Sequence, residues 1–162
     1  PFKLNKNLIN SKLELLYKFC LKFKGKPSLQ VAGLNPHAGE EGILGTEEVD
    51  FINQTIQEWK INNPQVNLNQ IISPDSCWIS SAKAWRENET NAPDGILALY
   101  HDQGLIPVKI ITLNYSVNTT IGLPIIRTSP DHGTGFDIAD KGIAQCQSMI
   151  EAIKTAHELL IN

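Results

Sequence analysis

Apolar residues in this chain fall into two kinds of run, some spaced at three and four residues and some unbroken. The helical spacing appears first. Ser11-Lys-Leu-Glu14 matches a capping box, a hydroxyl followed three residues on by a carboxylate, and Leu13, Leu16, Cys20 and Phe23 recur at helical intervals. The pattern predicts a helix from about Ser11 to Lys24, stopped by Gly25-Lys-Pro27. A second helix is expected after Thr46, which stands at a cap position with Glu47 and Glu48 in the first turn, where the helix dipole favours carboxylates. Val49, Ile52, Ile56 and Trp59 would make its buried face. The tail from Ile143 to Ile161 is helical in pattern, with Met149, Ile150, Ile153 and Leu160 expected inward.

The unbroken runs read as buried strands: Leu29 to Leu34, Gly95 to Tyr100, Pro107 to Leu113 and Val117 to Ile121, with Gln70 to Ser73 as a shorter one. Asn62 to Asn69 reads as loop, and Ser73 to Asn91 fits no single period. Strands without alternation, separated by helices, indicate an α/β fold with a largely parallel sheet and helices on both faces.

Composition narrows the class. The 162 residues suit one domain of ordinary size, and 41% hydrophobic against 19% charged is a globular balance. Fourteen Lys and Arg against seventeen Asp and Glu leave a net charge of −3, which argues against a surface built for nucleic acid or anionic lipid. No apolar stretch is long enough to span a bilayer, and the start carries no signal-peptide pattern. Cys20, Cys77 and Cys146 are odd in number, far apart and outside any CxxC pair, as expected of reduced thiols in a cytoplasmic protein. The chain opens on Pro1 in what reads as the middle of a segment, so a fragment is expected.

Candidate chemistry collects after the strands. His37 follows the first strand by three residues and His101 follows Gly95–Tyr100 directly, so both imidazoles should lie at the carboxyl edge of the sheet, where ligands gather. Imidazole suits a divalent transition metal, and its other nitrogen needs an acceptor, for which Glu40, Asp102 or a backbone carbonyl would serve. Either histidine alone reads as a loop hydrogen-bonder; the two together read as a shared site. Two ligands are one short of the three usual in a catalytic metal site. The glycines of His37-Ala-Gly-Glu-Glu-Gly-Ile-Leu-Gly45 follow no phosphate-loop spacing.

Lys109, on an expected buried strand, requires an anionic partner, either a carboxylate or a substrate phosphate. Arg127 opens a polar run and suits bidentate capture of carboxylate or phosphate, and Asn118 is polar within a strand. Salt bridges and strand edges would account for each of the three separately; their clustering favours a binding role. In His132-Gly-Thr-Gly-Phe-Asp137 the glycines and the Thr134 hydroxyl suit close approach to a nucleotide, with His132 able to stack on a base and Asp137 to hold ribose hydroxyls. A plain helix entry is the alternative for that segment. His157 is assigned no role.

These segments together resemble the 4-hydroxythreonine-4-phosphate dehydrogenase family. The resemblance rests on Gly33-Leu-Asn-Pro-His-Ala-Gly-Glu40, Gly45-Thr-Glu-Glu48, Tyr100-His-Asp-Gln-Gly-Leu105, Val117-Asn118 and Gly122-Leu-Pro-Ile-Ile-Arg-Thr-Ser-Pro-Asp-His-Gly-Thr134. It runs from Pro1 to about Ala144 and covers the C-terminal half of the family's sequence, so residues 1–162 are expected to be the C-terminal catalytic portion of a larger dehydrogenase. It implies a fold similar to isocitrate and isopropylmalate dehydrogenases, and oxidation of 4-phosphohydroxy-L-threonine with decarboxylation, in pyridoxal 5′-phosphate biosynthesis. NAD or NADP and a divalent cation (Zn, Mg or Co) are the implied cofactors, and a homodimer sharing its metal site between subunits is the implied assembly. His37 and His101 match two of the family's three metal-binding histidines; the third belongs to a Thr-His-x-Pro motif whose proline matches Pro1. Lys109, Asn118 and Arg127 match substrate-binding positions, Lys109 and Asp102 are the expected catalytic residues, and His132, Gly133, Thr134 and Asp137 the expected nucleotide contacts.

Two departures stand out. Ala139-Asp-Lys-Gly142 replaces the family's Ala-Gly-x-Gly, and Asp75-Ser76 replaces Asp-Thr in a Pro-x-Asp-Thr pattern. A related sugar-acid phosphate is the alternative substrate, and a non-catalytic binding module the alternative of another class. The 162-residue chain alone is expected to be inactive.

Overall fold

The structure, a computed structural model, describes residues 3–88 and 90–161. Pro1, on which the match to the Thr-His-x-Pro motif falls, lies outside them. The chain divides into two compact units, Pro1–Pro107 and Val108–Asn162.

The first unit holds the parallel sheet that the sequence pattern predicts. β1 (Ser28–Val31) lies between β2 (Asn67–Leu68) and β3 (Gly95–Leu97), and both neighbours run parallel to it. β2 falls inside the stretch expected to be loop. The expected strand at Gln70–Ser73 reduces to one parallel bridge, Ile72 with Ala32. Leu29, Val31 and Leu68 are fully buried and pack with Ile9 and Leu13 of α1 (Lys6–Cys20) and Ile56 and Trp59 of α2 (Asn53–Asn62). Tyr17 meets Trp59 edge-on at 6.0 Å.

α1 starts five residues before the expected capping box. Asn5 is the cap, its Oδ1 accepting from the Leu8 amide at 3.0 Å, and Ser11 sits inside the helix with its hydroxyl donating to the Leu8 carbonyl. The second helical segment enters through a wide turn, Glu48–Ile52, whose cap position is Glu47, and Thr46 donates its hydroxyl to Asp50 Oδ2 at 2.7 Å. Ile52, Ile56 and Trp59 are buried as expected, whereas Val49 is 57% exposed. The unreadable stretch after Ser73 contains α3 (Ile79–Glu87).

The largest correction concerns Pro107–Leu113. It is helical: α4 spans His101–Thr112 with Pro107 inside it. A continuous apolar run fits a buried strand or a helix equally by periodicity, and twelve residues is helix length. In the second unit, β4 (Val117–Thr120) pairs antiparallel with β5 (Arg127–Pro130), and α5 (Gln147–Ile161) packs on the pair. α5 is rotated from expectation: Ser148, Ala152 and Leu159 are buried, while Met149, Ile150, Ile153 and Leu160 are exposed. Small residues let the helix backbone approach the strands, and Thr128 donates its hydroxyl to the Ala152 carbonyl at 2.8 Å. Among the described residues no helix is long and apolar enough to cross a membrane.

Candidate functional site

The histidine-bearing turns of the first unit lie at the carboxyl ends of β1 and β3, which are direct neighbours in register, Val31 opposite Leu97. Adjacent strands run about 4.8 Å apart, so the sheet brings the two turns to one edge, as the sequence predicts.

The His37 turn is held in an uncommon conformation. His37, Ala38, Gly39, Glu40 and Glu41 all have φ between 43° and 84°, in the left-handed region. The chain that leads into them is anchored by a carboxylate. Glu48 is 1% exposed, and its Oε1 accepts from the backbone amides of Leu34 at 2.7 Å and Asn35 at 2.8 Å. Its Oε2 accepts from Asn35 Nδ2 at 2.7 Å, and that amide also donates to Glu47 Oε2. The Asn35 bond holds the Glu47 carboxyl below its ordinary range. Gly39 is required here: a Cβ would come within 2.8 Å of the Gly45 carbonyl and 3.0 Å of Glu48 Oε2. Sequence reasoning saw Glu48 only as a helix-start charge; the signal that it is an anchor is its place fourteen residues after Leu34, which no local pattern exposes.

His101 opens α4 with its Nδ1 2.8 Å from Asp102 Oδ1, both side chains largely exposed. Asp102 thus supplies the acceptor anticipated for an imidazole, a contact that leaves Nε2 to act as a donor atom toward a cation. Asp75, to which the sequence assigned no role, is hydrogen-bonded by the Ser73 hydroxyl. Its carboxyl is held below the usual range, first by the Ser73 hydroxyl and to a lesser degree by His37. Cys77, two residues on, is buried and its thiol is pushed up to about 11 by burial, so it is no nucleophile at neutral pH.

Imidazole is the donor type that suits a divalent transition metal, and His101 carries Asp102 as the acceptor on its other ring nitrogen. Among the described residues no three His, Cys, Asp or Glu side chains come together to hold an ion.

In the second unit, Lys109 is on a helix and half exposed, not on a buried strand. It has the carboxylate partner foreseen as one option: its Nζ lies 3.3 Å from Asp131 Oδ2 and donates to the Asp131 carbonyl at 2.9 Å. Ser116 donates to the same carboxylate, and Ser148 accepts from the Asp131 amide. The β4–β5 register sets Asn118 opposite Ser129 and Thr120 opposite Arg127, so Asn118 and Arg127 share a face, and Arg127 Nη1 donates to Thr120 Oγ1 at 3.0 Å. Lys109 reaches the chain just beyond the far end of β5 from Arg127. The three are not joined through hydrogen bonds.

The segment after β5 borders an open pocket of about 790 Å³. His132, Gly133, Thr134 and Asp137, the four residues expected to contact a nucleotide, all line it, as do Asn114 and Gln145. Asp140, where the family pattern is broken, lines it too, as does Gly142, both with positive φ. His132 Nδ1 sits 2.9 Å from the Gly133 carbonyl.

Comparison with known proteins agrees with the resemblance. The family model described as "Pyridoxal phosphate biosynthetic protein PdxA" matches residues 1–156. The 4-hydroxythreonine-4-phosphate dehydrogenase of Synechococcus sp. (strain RCC307) is 49% identical over 161 residues, 98% of this chain and 49% of that protein. That of Synechocystis sp. (strain ATCC 27184 / PCC 6803 / Kazusa) is 50% identical over 99% of this chain and 47% of its own length. Among solved structures, 4-hydroxythreonine-4-phosphate dehydrogenase from Klebsiella pneumoniae superposes with a TM-score of 0.76 at 35% identity, covering 97% of this chain and 45% of that one. The chain therefore spans about half the length of the relatives it matches.

Proposed function

Because the chain belongs to the pyridoxal phosphate biosynthetic protein PdxA family, we propose that the protein carrying it is a 4-hydroxythreonine-4-phosphate dehydrogenase. In this reading the chain is the C-terminal catalytic portion of a larger α/β enzyme that oxidises 4-phosphohydroxy-L-threonine with decarboxylation to 3-amino-2-oxopropyl phosphate. The observation that carries it is the family match over residues 1–156, joined to two histidine turns at neighbouring ends of one parallel sheet.

His37 and His101 would hold the divalent cation, and the loop of His132, Gly133, Thr134 and Asp137 would hold NAD or NADP. When bound, the metal supplies Lewis-acid polarisation of the substrate hydroxyl, and the nicotinamide supplies a hydride acceptor. The remaining work falls to this chain's side chains. Asp102 orients the His101 ring through Nδ1 and can hold a proton there. Lys109 and Arg127 present cations to the substrate's carboxylate and phosphate, and Asn118, on the Arg127 face of the hairpin, adds a neutral donor. With two imidazoles at this sheet edge, a site completed across a homodimer is the assembly this reading favours.

The test is turnover by the protein from its complete coding sequence, assayed with 4-phosphohydroxy-L-threonine, phosphoerythronate and phosphothreonate and with either nucleotide. The first substrate is expected to turn over fastest. His37→Ala and His101→Ala should each abolish metal-dependent turnover with far-UV circular dichroism unchanged. Wild-type turnover in both variants after chelation and metal add-back would overturn the assignment.

A further inference from the structure

One buried side chain joins the two histidine turns. Gln103 lies in the first turn of α4 and is 6% exposed. Its Nε2 donates to the Gly33 carbonyl at 2.5 Å, and its Oε1 accepts from the Leu99 amide at 2.7 Å. Gly33 lies two residues past β1 and four before His37; Leu99 lies two past β3 and two before His101.

The main-chain ladder between these strands reaches Ala32, whose amide donates to the Leu97 carbonyl at 3.1 Å. Beyond that rung the two backbones turn away to form the loops. Gln103 supplies the next rung with a side chain, taking one bond from each turn. The task needs a donor and an acceptor on one planar group, which a carboxamide has and a carboxylate or thioether lacks.

We propose that Gln103 is a positioning residue: it fixes the spacing of the His37 and His101 turns, and with it the geometry at which the two imidazoles meet a cation. The last step rests on the reading of those histidines as metal donors, so the test separates the two ideas. The variants are Gln103→Met, which keeps the length and loses both bonds, and Gln103→Glu, which keeps the bond from Leu99 and loses the one to Gly33. In the complete protein, two quantities are read: amide hydrogen exchange by segment, and Co²⁺ binding followed by its visible absorption.

In Gln103→Met, exchange should speed up by about tenfold or more in residues 33–41 and 98–101 together, as expected for lost buried hydrogen bonds, with α2 unchanged. Co²⁺ should bind roughly 10- to 100-fold more weakly with an altered band. Gln103→Glu should loosen 33–41 while 98–101 stays protected, and it decides the matter alone if the methionine variant fails to fold. Unchanged exchange at 33–41 in either folded variant would overturn the proposal, as would loosened turns with wild-type Co²⁺ affinity and spectrum. If the wild type itself binds no Co²⁺, the metal reading fails, and coupled loosening of both turns still supports Gln103 as the strut between them.

Discussion

Glu48 shows how one residue can set a site it does not enter. Four non-glycine residues, His37, Ala38, Glu40 and Glu41, hold left-handed backbone, at a cost of roughly 1–2 kcal/mol each or about 4–8 together. The three bonds to the buried Glu48 carboxylate contribute, at roughly 1.5–3 kcal/mol for a bond to a charged group, about 4.5–9. The two magnitudes are similar, and the bonds anchor Leu34 and Asn35, the chain that leads into the turn. Glu48→Ala leaves the Leu34 and Asn35 amides and Asn35 Nδ2 without their partner. It should cost roughly 3–5 kcal/mol in denaturant unfolding, and Glu48→Gln, which keeps an acceptor for the two backbone amides, about 1–2. A Glu48→Ala change within about 1 kcal/mol of wild type would mean that the turn is held by something else.

At the scale of elements, the sequence revealed most where period and chemistry agree and least where one apolar run serves two structures. β1, β3 and the buried face of α2 follow from short apolar runs and helical spacing, and the two histidines were placed at the right strand ends. Pro107 to Leu113 reads as a strand because it is rich in β-branched residues and contains Pro107, features of strands and strand edges; the helix that takes up most of it starts earlier, at His101. α5 differs from expectation because Met149, Ile153 and Leu160 are large apolar residues at helical spacing, whereas the face that packs on the β4–β5 pair buries the smaller Ser148 and Ala152 together with Leu159. Gln103 and Glu48 were invisible as anchors because their partners are distant in sequence or backbone atoms. The move of Lys109 from a buried strand to a half-exposed helix changes what its removal should do. Lys109 is half exposed and the largely buried Asp131 carboxylate keeps its Ser116 bond, so Lys109→Ala should shift unfolding by about 1 kcal/mol. If Lys109 and Arg127 each grip the substrate through a charge-assisted bond, Lys109→Ala and Arg127→Ala should each weaken substrate binding in the complete protein by roughly 10- to 100-fold. Unchanged affinity in titration calorimetry would reduce both to surface residues.

At the scale of the whole molecule, the chain spans about half of each relative compared, and its two units carry different parts of the proposed chemistry. The first presents two imidazoles and the second the cations and the nucleotide loop. Two imidazoles fall short of the three protein ligands usual in a catalytic metal site, so an ion should bind this chain weakly. Proximity effects worth many powers of ten also vanish when the groups that orient a substrate are incomplete. Phe136, Ile143, Ile153 and Leu160 are each more than 60% exposed, apolar area that favours association of the isolated chain. We therefore expect the 162-residue chain on its own to be catalytically silent even when folded. The assay incubates the pure chain with 4-phosphohydroxy-L-threonine, NAD and a divalent metal and follows the absorbance of the reduced nucleotide, with sedimentation recorded at several concentrations. No turnover, with mass rising with concentration, is the expected result. Turnover comparable to that of a full-length relative would mean that these residues alone assemble the metal, substrate and nucleotide sites, and that the two-imidazole argument underestimates what this sheet edge can bind.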